Sequence, residues 1–304
     1  MKKKSIIVGT LILTVTTTLT RTVGFAFRIY LANILGAEGI GLYQLILSFY
    51  VLMITLSTSG IRVAVSRLIS EELALSRYYN AKKVLHQSIV LSFLTGSLAA
   101  FVMYYFSSII GKNILHDERT IMSLIYLVPS LPSIAVSSCY KGYFYAVGKV
   151  TKPASAQVLE QLVRVFVIFL IMDLYLPHGL GYGCAAVAIG MTVEELFSLI
   201  YIWVLYVLDK KPYSHKIRTK TDNMLFKIIG ISIPLSATAN LNSLLRMAEN
   251  ILIPAQLILY GTSRANAMSL YGMIKGMVLP LLFFPSSFLT SLSSVLIPSV
   301  AGDN

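Results

Sequence analysis

Four arginines of this chain, Arg21, Arg28, Arg62 and Arg246, stand inside apolar stretches long enough to cross a bilayer. A guanidinium stays charged at any accessible pH. In hydrocarbon it is costly unless it faces water, a partner or an anionic ligand. Its planar fork matches phosphate and carboxylate oxygens two at a time. Four such residues on separate stretches point to a polar cavity between membrane helices, whose guest carries phosphate or carboxylate. The alternative at each position is a side chain that snorkels to the membrane surface. It bears hardest on Arg28 and Arg246, which fall near the ends of their stretches.

Other charges extend the pattern. Glu194 and Glu195 lie mid-stretch with no basic residue beside them. A carboxylate there is protonated, paired with an arginine of another helix, or bound to a coupling ion such as Na⁺ or H⁺. Arg246 and Glu249 are three residues apart, Glu160 and Arg164 four apart, and on a helix such neighbours can pair. Glu160–Arg164 reads as a structural ion pair. Lys275 is a further cavity cation, and Glu249 joins the same candidate substrate-binding set. Cys139 and Cys184 fall in different stretches, and the four histidines are scattered. No metal site, cofactor loop or nucleotide-binding loop is expected, and the chain reads as a transporter, not an enzyme.

These residues must be positioned by membrane helices. The chain is 56% hydrophobic and 12% charged, with a mean hydropathy of +0.75. A soluble domain carries about 25% charged residues, so the surplus apolar surface needs lipid. The spacing predicts an all-α, polytopic transmembrane bundle with eight segments at or above the roughly 20 residues a bilayer requires. They cover Ser5–Leu35, Ile40–Ile69, Val84–Ile110, Ile121–Val147, Ala154–Leu176, Tyr182–Leu208, Phe226–Leu259 and Ser269–Val300. Pro129, Pro132, Pro234, Pro254, Pro280, Pro285 and Pro298 fall inside them and predict bends. Lys2-Lys3-Lys4 before the first segment resembles a signal peptide, but no cleavage site follows a short core, so it reads as an uncleaved first helix.

Loop charge sets the orientation. One alternate set of loops holds Lys2, Lys3, Lys4, Arg77, Lys82, Lys83, Lys149, Lys152, Lys210, Lys211, Lys216, Arg218 and Lys220. The other set holds Lys112, Arg119 and Arg264. The first set is expected in the cytoplasm together with the N-terminus. The net charge of +12 is thus mostly topological and does not point to nucleic acid.

The basic stretch 210–222 divides the chain into residues 1–209, a first six-helix lobe, and residues 223–304, the first two helices of a second lobe. Leu42-Tyr43 recurs as Leu270-Tyr271, and Ser66, Leu68 and Ile69 recur as Ser294, Leu296 and Ile297, all at one ungapped offset. Helix eight is therefore expected to repeat helix two, and helix seven helix one. Six-helix units repeated in one orientation are a known transporter plan. On that plan the second lobe is incomplete.

Specific stretches resemble a known family. They are Thr20-Arg21-Thr22-Val23-Gly24-Phe25 through Arg28, then Leu35-Gly36, Gly39-Ile40-Gly41-Leu42-Tyr43-Gln44, Ser59-Gly60-Ile61-Arg62-Val63-Ala64-Val65-Ser66 and Leu296-Ile297-Pro298-Ser299. The chain is similar to the polysaccharide and lipid-linked oligosaccharide flippases of the multidrug/oligosaccharidyl-lipid/polysaccharide superfamily, its sporulation members above all. The resemblance implies two lobes of twelve to fourteen helices in total around a central cavity. It implies alternating access in a bacterial inner membrane, carrying a polyprenyl-diphosphate-linked sugar from the cytoplasmic to the outer leaflet, with cell-wall or polysaccharide synthesis machinery as partner. It also implies that Arg21, Arg28, Arg62 and Arg246 contact the diphosphate. The rival readings are a Na⁺- or H⁺-coupled multidrug extruder of the same superfamily and a non-transporting scaffold or inactive truncated remnant. An extruder of cations would favour acids over arginines in its cavity.

Overall fold

The computed structural model describes residues 3–58, 60–209 and 223–283, with side chains from residue 14 onward. Helix α1 spans Lys3–Thr58, 56 residues, but Gly36 interrupts it with φ 66° and ψ −179°. That backbone geometry is open to glycine and poor for other residues. The first two predicted segments are therefore two arms that meet at Gly36. Gly60, also at positive φ, joins the second arm to α2 (Ile61–Ala74). α3 covers Tyr78–Tyr105, and α4 is the short turn Ser107–Ile109, followed by a π-helical turn at Ile110–Ile114.

The fourth predicted segment is broken. α5 (Thr120–Leu127) and α6 (Ser130–Ala146) meet at 42°. Pro129 sits at the joint, where its missing N–H removes one rung of the ladder. α7 (Thr151–Tyr175), α8 (Leu180–Asp209) and α9 (Met224–Leu259) follow. α9 runs through both Pro234 and Pro254 without ending. α10 (Arg264–Tyr271) passes into a second π-helical turn, Gly272–Val278, and the helix continues to Phe283.

Among the described residues there is no strand. Five helices are long and apolar enough to cross a membrane, or six if α5 and α6 count as one span. The first of the five, Thr14–Ala74, holds both arms at Gly36, and α7 carries the fifth predicted segment. The basic stretch 210–222 and the part of the eighth segment beyond Phe283, with Pro285, Pro298, Ser294, Leu296 and Ile297, lie outside the described residues.

Helix pairs α7/α8, α3/α6 and α2/α6 pack the first six segments together, and α9 and α10 lie against α1. Between apolar helices in lipid, contact comes from close packing, and small residues permit it. The seam between α1 and α10 is such a contact. A Cβ on Gly41 would fall 2.3 Å from the Met268 carbonyl oxygen, and one on Gly272 only 2.0 Å from the Ala37 carbonyl oxygen. Leu42 and Tyr271 are buried on either side. These are the repeated Leu-Tyr segments, so the two sequence copies pack on each other.

The loops that charge assigns to the outside converge at one end. Arg119 donates to Asp117 and to Glu38, the latter just past the Gly36 joint, at 2.7 Å. Arg264, at the start of α10, comes within 3.8 Å of Asp117. A Cβ on Gly181 would lie 3.2 Å from the Arg119 Cβ. Four separate loops thus meet around one arginine. At the opposite end Lys149 bonds to Asp209 and ties the α6–α7 turn to the end of α8.

Candidate functional site

A cavity of about 530 Å³ lies between the two arms of α1, helices α7 and α8, and the far end of the α10 helix. The arms meet at Gly36, so residues distant in sequence face one another across it. The first arm contributes Arg21 and Arg28, and the second arm Tyr43 and Tyr50. α7 contributes Gln161 and Arg164, and Pro280 and Phe283 close the side from the eighth segment. Leu31, Leu47 and Ile54 supply apolar wall. Tyr50 is fixed by a 2.7 Å hydrogen bond with the Ser130 hydroxyl at the α5–α6 joint.

Two of the four predicted arginines, Arg21 and Arg28, line this cavity, seven residues apart on one face of α1. Arg62 and Arg246 do not line it. Both are exposed, Arg62 on α2 and Arg246 on α9. Glu249 and Lys275 also stand away from it. The Lys275 ammonium donates to Glu249 at 2.5 Å, joining α9 to the π-helical turn of the eighth segment. The sequence made Arg246 the neighbour able to pair with Glu249. The bond reaches Lys275 on another helix instead.

A second local pairing is corrected. Glu160 does not pair with Arg164. Its carboxylate accepts from Lys141 of α6 at 2.7 Å and from the Ser198 hydroxyl of α8. Arg164 lies with its Nε 3.0 Å from Glu194 Oε2 of α8. Half-buried Glu160 and buried Glu194 thus both take partners on neighbouring helices. A same-helix pair at this spacing is worth only about 0.2–0.5 kcal/mol, whereas a buried charge left without a partner costs several times that. Burial therefore outranks sequence spacing in choosing partners. Glu195 has its Oε2 buried and without a hydrogen bond among the described residues. Lys141, Glu160 and Arg164 stand within electrostatic reach of it.

Arg164 and Gln161 are the site residues that the sequence reading missed. The signal was present, because Arg164 also stands within an apolar stretch. Glu160, four residues away, offered a local partner and masked it. The three guanidiniums Arg21, Arg28 and Arg164 make the cavity electropositive, and Tyr43 lies within electrostatic reach of Arg28, Arg164 and Glu194. Such a cavity can hold anionic oxygens while its Phe, Leu and Ile wall receives hydrocarbon. Among the described residues no group of acids, histidines and cysteines could hold a metal ion. Cys139 and Cys184 are both buried and unpaired.

Comparison with known proteins agrees with this architecture. Over 305 residues the chain is 30% identical to Stage V sporulation protein B of Bacillus subtilis (strain 168), covering 99% of this chain and 59% of that protein. It is 28% identical over 199 residues to Lipid II flippase MurJ of the same organism, covering 60% of this chain and 36% of that protein. The chain thus spans well under two thirds of either relative's length. Its fold matches the outward-facing conformation of a multidrug resistance MATE family transporter of the MOP superfamily, with TM-score 0.67 and 16% identity, over 94% of this chain and 63% of that one. The family model described as polysaccharide biosynthesis protein matches residues 6–301. With an electropositive cavity framed by apolar helices and a match over nearly its whole length, this multi-pass membrane chain belongs to the polysaccharide biosynthesis protein family.

Proposed function

We propose that this chain forms the substrate-holding part of a flippase. It carries a lipid-linked anionic sugar precursor, of the polyprenyl-diphosphate kind, from the cytoplasmic to the outer leaflet of a bacterial inner membrane. The observation that carries the reading is the lining of one cavity by Arg21, Arg28 and Arg164 together with apolar side chains. Diphosphate oxygens suit guanidinium forks, and the wall of Phe27, Leu31 and Ile54 suits the start of an isoprenyl chain. The similarity to a protein named as a lipid II flippase supports the same class of cargo. Peptidoglycan-type precursors, including those of spore cortex, are the glycans that the similarity to a sporulation protein favours.

A cation extruder is disfavoured by the same wall. Glu194, beside the cavity-lining Arg164 at 3.0 Å, is not left to hold a cationic guest. Coupling to Na⁺ or H⁺ falls most naturally on Glu195, whose buried Oε2 makes no hydrogen bond among the described residues. Arg62, Arg246 and the Glu249–Lys275 pair stand outside the cavity and serve, in this reading, positions of the headgroup before or after it occupies the site.

The test is flipping of a fluorescent polyprenyl-diphosphate sugar in proteoliposomes, using the chain together with the remaining length its relatives possess. Arg21→Ala and Arg28→Ala should each abolish flipping while leaving accumulation near wild type, and Arg→Lys should restore little. Wild-type rates from both alanine variants would overturn the reading.

A further inference from the structure

The α7 wall of the cavity carries more than one arginine. Gln161 and Arg164 are three residues apart, so they share a face of α7, and both reach the cavity. Gln161 is only 7% exposed. Its Oε1 accepts from Arg164 Nη2, which fixes the amide so that Nε2 faces Gly24 of α1, 3.8 Å from where a Cβ there would lie. That amide nitrogen is buried and has no hydrogen-bond partner among the described residues. Arg164 Nε and Glu194 Oε2 are 3.0 Å apart, yet they are not aligned as a hydrogen bond, and each is buried without one. Three polar atoms are therefore desolvated and under-satisfied at one spot, and two of them are donors. Buried polar groups normally find partners. A ligand presenting several acceptor oxygens would satisfy both donors at once.

We propose that Gln161 and Arg164 form an anion subsite on α7, facing Arg21 and Arg28, and that Glu194 is a resident counter-ion which an incoming anionic oxygen displaces from Arg164. The ligand chemistry is a phosphate or diphosphate group. This rests on the cargo reading above and deepens it. Three guanidiniums lining one cavity repel one another, and Glu194, 3.0 Å from Arg164, offsets part of that charge. When the headgroup binds, Arg164 turns from the misaligned carboxylate to a bidentate phosphate contact, where its fork geometry is better used. Glu194 therefore weakens anion binding by competing for Arg164.

The experiment is native mass spectrometry of the purified chain in detergent, titrated with farnesyl diphosphate, farnesol and inorganic pyrophosphate. Wild type should prefer farnesyl diphosphate to farnesol. Arg164→Gln should weaken farnesyl diphosphate at least about tenfold, as expected for loss of a charge-assisted contact. Gln161→Leu should weaken it several-fold, and Glu194→Gln should tighten it several-fold. Arg164→Lys and Gln161→Leu keep the test informative if Arg164→Gln fails to fold. Equal affinity of wild type, Arg164→Lys and Gln161→Leu, alongside losses in Arg21→Ala and Arg28→Ala, would overturn the α7 subsite and leave the cavity reading standing. Weaker binding in Glu194→Gln would show that Glu194 positions Arg164 and does not compete for it. Wild type that cannot tell farnesyl diphosphate from farnesol would sink the cargo reading itself. Pyrophosphate binding as tight as farnesyl diphosphate would overturn the lipid headgroup as the source of the anion.

Discussion

Adding one methyl group at Gly272 should loosen the contact between the first six segments and the eighth. The Gly272 backbone is helical, φ −63° and ψ −40°, so alanine introduces no backbone strain there. The obstacle is steric. The new Cβ would lie 2.0 Å from the Ala37 carbonyl oxygen, 2.5 Å from the Gly41 nitrogen and 2.9 Å from the Gly41 Cα. Favourable contact needs about 3.5 Å, so the helices must separate by roughly 1.5 Å. All three obstructing atoms are backbone, and no side chain can rotate out of the way. Leu42, Met268 and Tyr271, each at most 2% exposed, would lose contact across the seam. A gap of 0.5–1 Å already forfeits about a quarter to a half of a dispersion well. Overpacking of this kind costs about 1–3 kcal/mol. At about 2–3 °C per kcal/mol for a chain of this size, Tm in detergent should fall by roughly 2–9 °C. Thermal unfolding followed by size-exclusion chromatography would measure it. The control is Gly230→Ala on α9, where nothing lies within 4 Å of the new Cβ. Alanine favours a helix interior over glycine by about 1 kcal/mol, so this variant should melt with wild type or slightly above. If Gly272→Ala melts with the control, the reasoning from the seam is wrong.

Three further outcomes follow from other contacts. A cysteine replacing Lys216 should be labelled only from the cytoplasmic side and one replacing Lys112 only from outside; native Cys139 and Cys184, at most 1% exposed, add little background, and the reverse pattern would reject the topology. Asp117 is raised by burial but lowered more by its bonds to Arg119, so its net folded pKa lies below the ordinary 3.8. Its stabilising contribution is therefore full above about pH 4 and lost as pH falls through the lower folded value, and the Tm gap between wild type and Asp117→Asn should stay constant from pH 8 to 5 and shrink below 4; a gap that closes near neutral pH would contradict this. Lys141→Met should destabilise by about 1–3 kcal/mol by removing the cation that faces half-buried Glu160, and adding Glu160→Gln should recover much of the loss, measured as a double-mutant cycle in thermal unfolding; additive losses would show that the pair is not coupled.

Much of the fold was legible because a bilayer imposes its length directly on the sequence. Long apolar runs, proline breaks and the asymmetry of loop charge are read along the chain, and each has a local cause. Gly36 and Pro129 mark their breaks in the residue type itself. Arg21 and Arg28 stood out because a charge in an apolar run has few tolerable destinations. The partners of those charges were a different matter. Glu160 and Arg164 fit the one-turn spacing of a helical pair, and so do Arg246 and Glu249, but that spacing says nothing about what lies across the helix. Lys141, Glu194 and Lys275 reach these residues from other helices, because helix packing brings faces distant in sequence together. Sequence by itself determined which residues cannot face lipid. Tertiary packing decided which of them share a cavity and which neutralise one another, because a buried charge is satisfied by proximity in space and a helix can present only one face to any neighbour.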